Sequence, residues 1–132
     1  MVIDTSALLA ILQDEPERRR FNEAIEVADA RRVSAATFVE CSIVIESRFG
    51  AEGLRDLDRL LERAEIEIVP VDVQQARTAR EAFARYGKGR HAAGLNFGDC
   101  FPYAVATVLG EPLLFKGEDF ARTDVVAAVP QG

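Results

Sequence analysis

The sequence predicts an α/β fold, with a mainly parallel sheet covered by helices on both faces. Short apolar runs alternate with longer helical patterns along the whole chain, and that alternation is the signature of parallel strands joined by crossover helices. At 132 residues, 48% hydrophobic and 29% charged, the chain is one domain's worth and long enough to bury a core. No repeat, low-complexity tract or linker interrupts it, so a single domain over 1–132 is expected.

Taken in order, MVID is a short strand, and Thr5 and Ser6 are suitable N-caps for the apolar helix ALLAIL. Pro16 opens a charged helix to about Asp29, with Phe21, Ala24, Ile25 and Ala28 on one face. RRVSA is a weak strand, and a helix over about 36–49 stops at Gly50. Leu54, Leu57, Leu60 and Leu61 mark the apolar face of another helix from Gly53 to about Ala64. IEIVPV is the strongest strand signal, with Pro70 restricting its end. Asp72 caps the next helix, which runs through Ala76, Ala79 and Phe83 to Gly87. The Gly- and Asn-containing GKGRHAAGLNFGD is a loop. A helix over 100–109 tolerates Pro102 in its first turn. LLF is a strand, KGEDF a loop and VVAAV a last weak strand.

Composition narrows the chemistry. No apolar run approaches the roughly 18 residues of a membrane span, and the opening stretch lacks a preceding basic region and carries Asp4, so a cytoplasmic chain with no membrane partner is expected. Cys41 and Cys100 lie far apart in apolar runs, and His91 is the sole histidine. Thiolate and imidazole zinc sites lack their ligands, and both cysteines read as buried and inert. Carboxylates and hydroxyls are what the chain has for catalysis. The net charge of −6 disfavours nucleic acid as a partner, yet Arg77, Arg80, Arg85, Lys88 and Arg90 face only Glu81 in their stretch. That segment is either a solvated helix face or a local phosphate-binding surface.

Four acids fit poorly as ordinary surface charges. Open parallel sheets work in the crevice beyond the carboxyl ends of their strands. Asp4 ends the first strand, where Thr5 and Ser6 make a third capping residue redundant. Glu40 shares a helix face with Ala36, Ile43, Val44 and Ser47, which reads as core or small, and a carboxylate there needs a partner. Asp99 starts a helix, so an N-cap is the plain alternative, and Asp119 follows LLF in a loop where an exposed acid is equally ordinary. If the four converge, repulsion raises their pKa values unless a divalent cation neutralises them. Oxygen-only ligands select Mg²⁺ or Mn²⁺, and the chemistry that follows is metal-dependent phosphoryl hydrolysis.

VIDTSALLAIL, FVECSIVIE, GKGRHAAGLNFGDCF and LLFKGEDFARTD occur in this order over essentially the full length. Together they resemble the PIN-domain ribonucleases, in particular VapC-type toxins of toxin–antitoxin pairs. The resemblance implies an α/β/α sandwich with a five-stranded sheet, Mg²⁺ or Mn²⁺ at the acids, and endonucleolytic cleavage of RNA. It assigns Asp4 and Asp99 to the metal, Glu40 to the helical glutamate of the cluster, and Ser6 to a hydroxyl beside the first aspartate. Many relatives carry their fourth acid where this chain has Gly117, and Asp119 is the nearest substitute. The resemblance also implies a VapB-type antitoxin partner and a homodimer. On this reading Arg85, Lys88 and Arg90 hold the RNA backbone.

Two alternatives from other classes remain open at this level. A phosphoacceptor receiver domain would find Asp72 and Lys116 roughly placed, but it wants a pair of acids where Asp4 stands alone. A non-enzymatic binding module would use the acids only as caps.

Overall fold

The computed structural model describes residues 1–130. The elements are β1 (Val2–Ile3), α1 (Thr5–Leu12), α2 (Arg18–Val27), β2 (Arg32–Ser34), α3 (Ala35–Arg63), β3 (Glu67–Val69), α4 (Val73–Tyr86), α5 (Cys100–Leu109), β4 (Leu113–Leu114) and a 3₁₀ turn at Phe120–Arg122. The strands form one all-parallel sheet in the order β3-β2-β1-β4. Val2 pairs with both Arg32 and Leu113, so β1 is central.

Alternation along two-residue strands is enough to build three layers, because successive side chains point to opposite faces of a sheet. Ile3 and Leu114 join Leu8, Phe21, Cys41, Ile45 and Leu57 in a core under α1, α2 and α3. Val2 and Leu113 join Ala79, Tyr86, Tyr103, Val105 and Phe115 in a second core under α4 and α5. The α/β/α sandwich expected from the sequence is therefore present.

The sheet has four strands rather than five. VVAAV contributes an isolated parallel bridge between Leu113 and Ala127. Two backbone bonds hold it, from the Leu113 amide to the Val126 carbonyl and from the Ala128 amide to the Leu113 carbonyl, and no ladder extends beyond them. The two helices expected either side of Gly50 run as one kinked element, with Gly50 at φ +64°, ψ −153°. On α4 the buried face is Gln75, Ala79, Ala82 and Tyr86 with Phe83 half-buried beside it, so of the positions read from the sequence only Ala76 turns to solvent, and Asp72 caps the helix through the Gln75 amide at 2.8 Å.

The topology fixes where a site can form. From β1 the chain steps outward to β2 and β3, then returns to place β4 on the other side of β1. Connections leaving β1 and β4 thus diverge, and the crevice beyond their carboxyl ends is the usual binding position of such a sheet.

Candidate active site

Asp4 lies at that switch point, immediately after β1, and is 5% exposed. It is itself the N-cap of α1, a role the sequence assigned to Thr5 or Ser6: its Oδ2 accepts from the Ser6 amide at 3.0 Å. The Ser6 hydroxyl donates to the same oxygen at 2.7 Å and accepts from the Lys116 amide at 2.9 Å, just beyond β4. Ser6 therefore links the ends of the two diverging strands. Burial pushes the Asp4 carboxyl up to about 6. The Ser6 bonds oppose that rise, and the negative charges of Asp99 and Glu40 add to it.

Glu40 projects from the second turn of α3. The face expected to be core is not: Ile43 and Ser47 are exposed and Glu40 is half-buried. Its partner is Thr5, whose hydroxyl donates to Glu40 Oε1 at 2.5 Å. The carboxylate packs on the backbone at Gly98, where an added Cβ would fall 1.8 Å from Glu40 Oε2. Any side chain there would evict it.

Asp99 occupies the N-cap position of α5 without capping it. Its Oδ2 instead accepts from the Asn96 amide at 2.9 Å, closing the turn that leads into the helix. Burial raises its pKa; the Asn96 bond lowers it, and Glu40 and Asp119 raise it. Asp119, exposed at the start of the 3₁₀ turn, thus reaches this group only through its field.

Asp4, Glu40 and Asp99 come from three distant stretches and repel one another across one crevice, with Asp119 at its rim. Among the described residues no three acid, imidazole or thiol groups are drawn into a ready coordination shell. Ser6, Thr5 and the Asn96 amide each hold one of the carboxylates. The donor set is nevertheless all hard oxygen with mutual repulsion to relieve, which fits a divalent cation that keeps much of its water. Cys41 and Cys100 are free and buried, with thiols pushed up to about 12 and about 11 by burial and, next, by the adjacent Glu40 and Asp99; both are inert, as expected.

The basic stretch divides. Arg85 stacks on Tyr86 at 4.8 Å and pairs with Asp124 at 3.5 Å. Arg90 lies over Phe83 at 5.5 Å, and neither it nor Lys88 forms an ion pair among the described residues. Arg122 donates to the Ala92 carbonyl at 3.2 Å, tying this loop to the turn that carries Asp119. Sequence reading missed Thr5, Asn96, Gly98 and Lys116. Only the Gly98-Asp99 pair offered a signal, since glycine before a buried acid marks a close backbone approach.

A doubly covered parallel sheet with acids gathered at its switch point defines the class, and the chain belongs to the PIN-domain family, whose model matches residues 1–126. Within it the chain groups with the VapC ribonucleases. It is 58% identical over 127 residues to a Ribonuclease VapC of Mycolicibacterium smegmatis, covering 96% of this chain and 98% of the relative. It is 55% identical over 125 residues to Ribonuclease VapC30 of Mycobacterium tuberculosis, covering 95% of each. The fold matches that of Mycobacterium tuberculosis VapC20, described as a toxin that cleaves the sarcin–ricin loop, with a TM-score of 0.78 at 16% identity, covering 98% of both chains. It also matches a chain of the DNA-bound VapBC of Salmonella typhimurium, with a TM-score of 0.70 at 21% identity over 96% of this chain and 93% of that one.

Proposed function

We propose that the chain is an endoribonuclease that hydrolyses RNA phosphodiester bonds with Mg²⁺ or Mn²⁺, acting as the toxin of a toxin–antitoxin pair. The observation that carries this reading is Asp99: it sits where a helix cap is wanted and leaves the helix uncapped, in favour of a crevice shared with Asp4 and Glu40. The names of the relatives support the reaction and the toxin role. The VapBC complex among the structural neighbours supports a VapB-type antitoxin as partner. A homodimer and a cytoplasmic location complete the proposal; among the described residues no helix is long and apolar enough to cross a membrane.

Asp4 and Asp99 would hold the ion, with Glu40 and Asp119 completing the negative field around it. When bound, the ion supplies charge neutralisation for the phosphodiester and activation of water. The chain's own residues do the positioning. Ser6 holds Asp4 Oδ2 through both its amide and its hydroxyl, Thr5 aims Glu40, and the Asn96 amide orients Asp99. Asp4 must be ionised to bind a cation, and its raised pKa ties binding to pH. Lys88 and Arg90, with Arg85 behind them, would hold phosphates flanking the cut.

PIN-domain membership leaves the receiver reading without support, and the uncapped α5 argues against a module whose acids serve only as caps. The test is expression of the chain without its antitoxin, with RNA 5′ ends mapped in the same cells. New ends and arrested growth are expected, and both should vanish in Asp4→Asn and Asp99→Asn proteins that remain folded. Unchanged ends with the wild-type chain would overturn the assignment. Melting temperatures that ignore Mg²⁺ and Mn²⁺ would remove the metal from it.

A further inference from the structure

Phe97 is the most exposed aromatic side chain among the described residues, at 74%. It forgoes the burial that most phenylalanines find. It sits one residue before Gly98, against which the Glu40 carboxylate packs, and two before Asp99. The ring is not loose. Phe101 meets it edge-on at 4.9 Å and 64°. The turn beneath it is closed by the Asn96 amide on Asp99 Oδ2 at 2.9 Å and by the Cys100 amide on the Phe97 carbonyl at 3.2 Å.

A stiff ring open to solvent beside the acids has the form of a stacking surface. The loop leading into it carries Lys88 and Arg90, cations without ion pairs among the described residues, in a protein of net charge −6. The Lys88 amide donates to the Leu95 carbonyl at 2.9 Å, so one loop carries cations for phosphates and an aromatic ring for a base, which matches what single-stranded RNA presents, whereas a duplex keeps its bases stacked inside. We propose that Phe97 stacks an unpaired nucleobase flanking the scissile phosphate, and so positions the strand and restricts cleavage to unpaired RNA. This rests on the ribonuclease reading above. The basic loop favours RNA over a protein segment as the occupant of the ring.

The chain has no tryptophan, so an F97W variant carries a single indole whose fluorescence a stacked base quenches. Titration with Ca²⁺ in place of Mn²⁺, to neutralise the acids with a hard oxygen-seeking cation, should quench it saturably with a single-stranded oligoribonucleotide, and a hairpin stem of the same composition should not. With Mn²⁺ present, F97A and F97L should raise KM for the single strand roughly 5- to 100-fold with a smaller change in kcat, while F97W stays near wild type. F97L keeps apolar bulk without a π-face, so a purely structural role would leave it unaffected. Absence of quenching, or wild-type KM in F97L, overturns the proposal while a cleaving wild-type protein keeps the nuclease reading. Quenching in F97W together with a wild-type protein inert toward RNA would do the reverse: base stacking stands and the nuclease reading falls. If F97A instead loses affinity for a VapB-type antitoxin at unchanged KM, the ring is a protein anchor and the proposal fails.

Discussion

Asp4 combines two roles that usually exclude each other. As an N-cap it accepts hydrogen bonds that favour the carboxylate, and as a buried acid facing Asp99 and Glu40 it resists ionisation. Its pKa in the folded protein, about 6, lies above the ordinary 3.8. The folded state therefore binds the proton more tightly, and stability without a cation falls as pH rises from about 4 to 6, then levels off. Ionised Asp4 costs the fold on the order of 3 kcal/mol at pH 7.5. Asp4→Asn caps equally well. It should melt roughly 10 °C above wild type in EDTA at pH 7.5, with the gap about halved at pH 5, and calorimetry across that range checks both. A variant no more stable than wild type would mean that the crevice does not strain Asp4. Gly98→Ala separates geometry from charge in a different way. Its Cβ would displace the tip of a flexible side chain, Glu40, so the fold should survive with a small change in melting temperature. Cleavage of a test RNA should fall at least about tenfold, the scale set by losing one positioned charged group.

At the scale of elements, α3 depends on one backbone position. Gly50 adopts φ +64°, ψ −153°, a region nearly closed to other residues, and beyond its chain neighbours and its own helix backbone no atom lies within 4 Å of where its Cβ would be. Gly50→Ala should therefore cost roughly 1–3 kcal/mol of conformational strain with no steric clash. Urea unfolding should show a lower midpoint at unchanged slope, and activity per folded molecule should be retained because Glu40 precedes the kink. The glycine that marks this kink was legible in the sequence, as were the helices, because periodicity and caps are local signals. Strands were harder. IEIVPV, the strongest pattern, became the three-residue edge strand β3 with Ile68 partly exposed, whereas the two-residue VI and LL became the buried centre. A parallel strand is defined by distant partners, and VVAAV shows the same limit in reverse. In the site, Asp4 was readable from its place at the end of β1, whereas Glu40 was picked out by a helix face that is in fact largely exposed and Asp119 looked like any loop acid. Thr5 and the Asn96 amide were not readable, since each acts through a contact that only the folded chain creates.

For the whole molecule, the question is how a chain of net charge −6 engages a polyanion. Long-range attraction is unavailable, so affinity has to come from a few cations placed near the crevice, while the acids there repel phosphates until a cation neutralises them. Arg85 already spends charge on Asp124, which also accepts from the Tyr103 hydroxyl at 2.6 Å and so secures the C-terminal segment to α4 and α5. Lys88 and Arg90 are freer, and each phosphate they neutralise on a single strand contributes about 0.7 to the slope of log affinity against log salt. Replacing both by alanine should lower that slope by about 1.4 and weaken binding at low salt far more than at high salt. Phe97→Leu should instead weaken binding by a similar factor at every salt concentration, because stacking releases no counterions. Anisotropy titrations of an RNA oligonucleotide at several salt concentrations distinguish the two. An unchanged slope in the double variant would show that phosphate contacts lie elsewhere, and Arg77, Arg80 and Arg85 on α4 would then be the remaining cations of that stretch to remove.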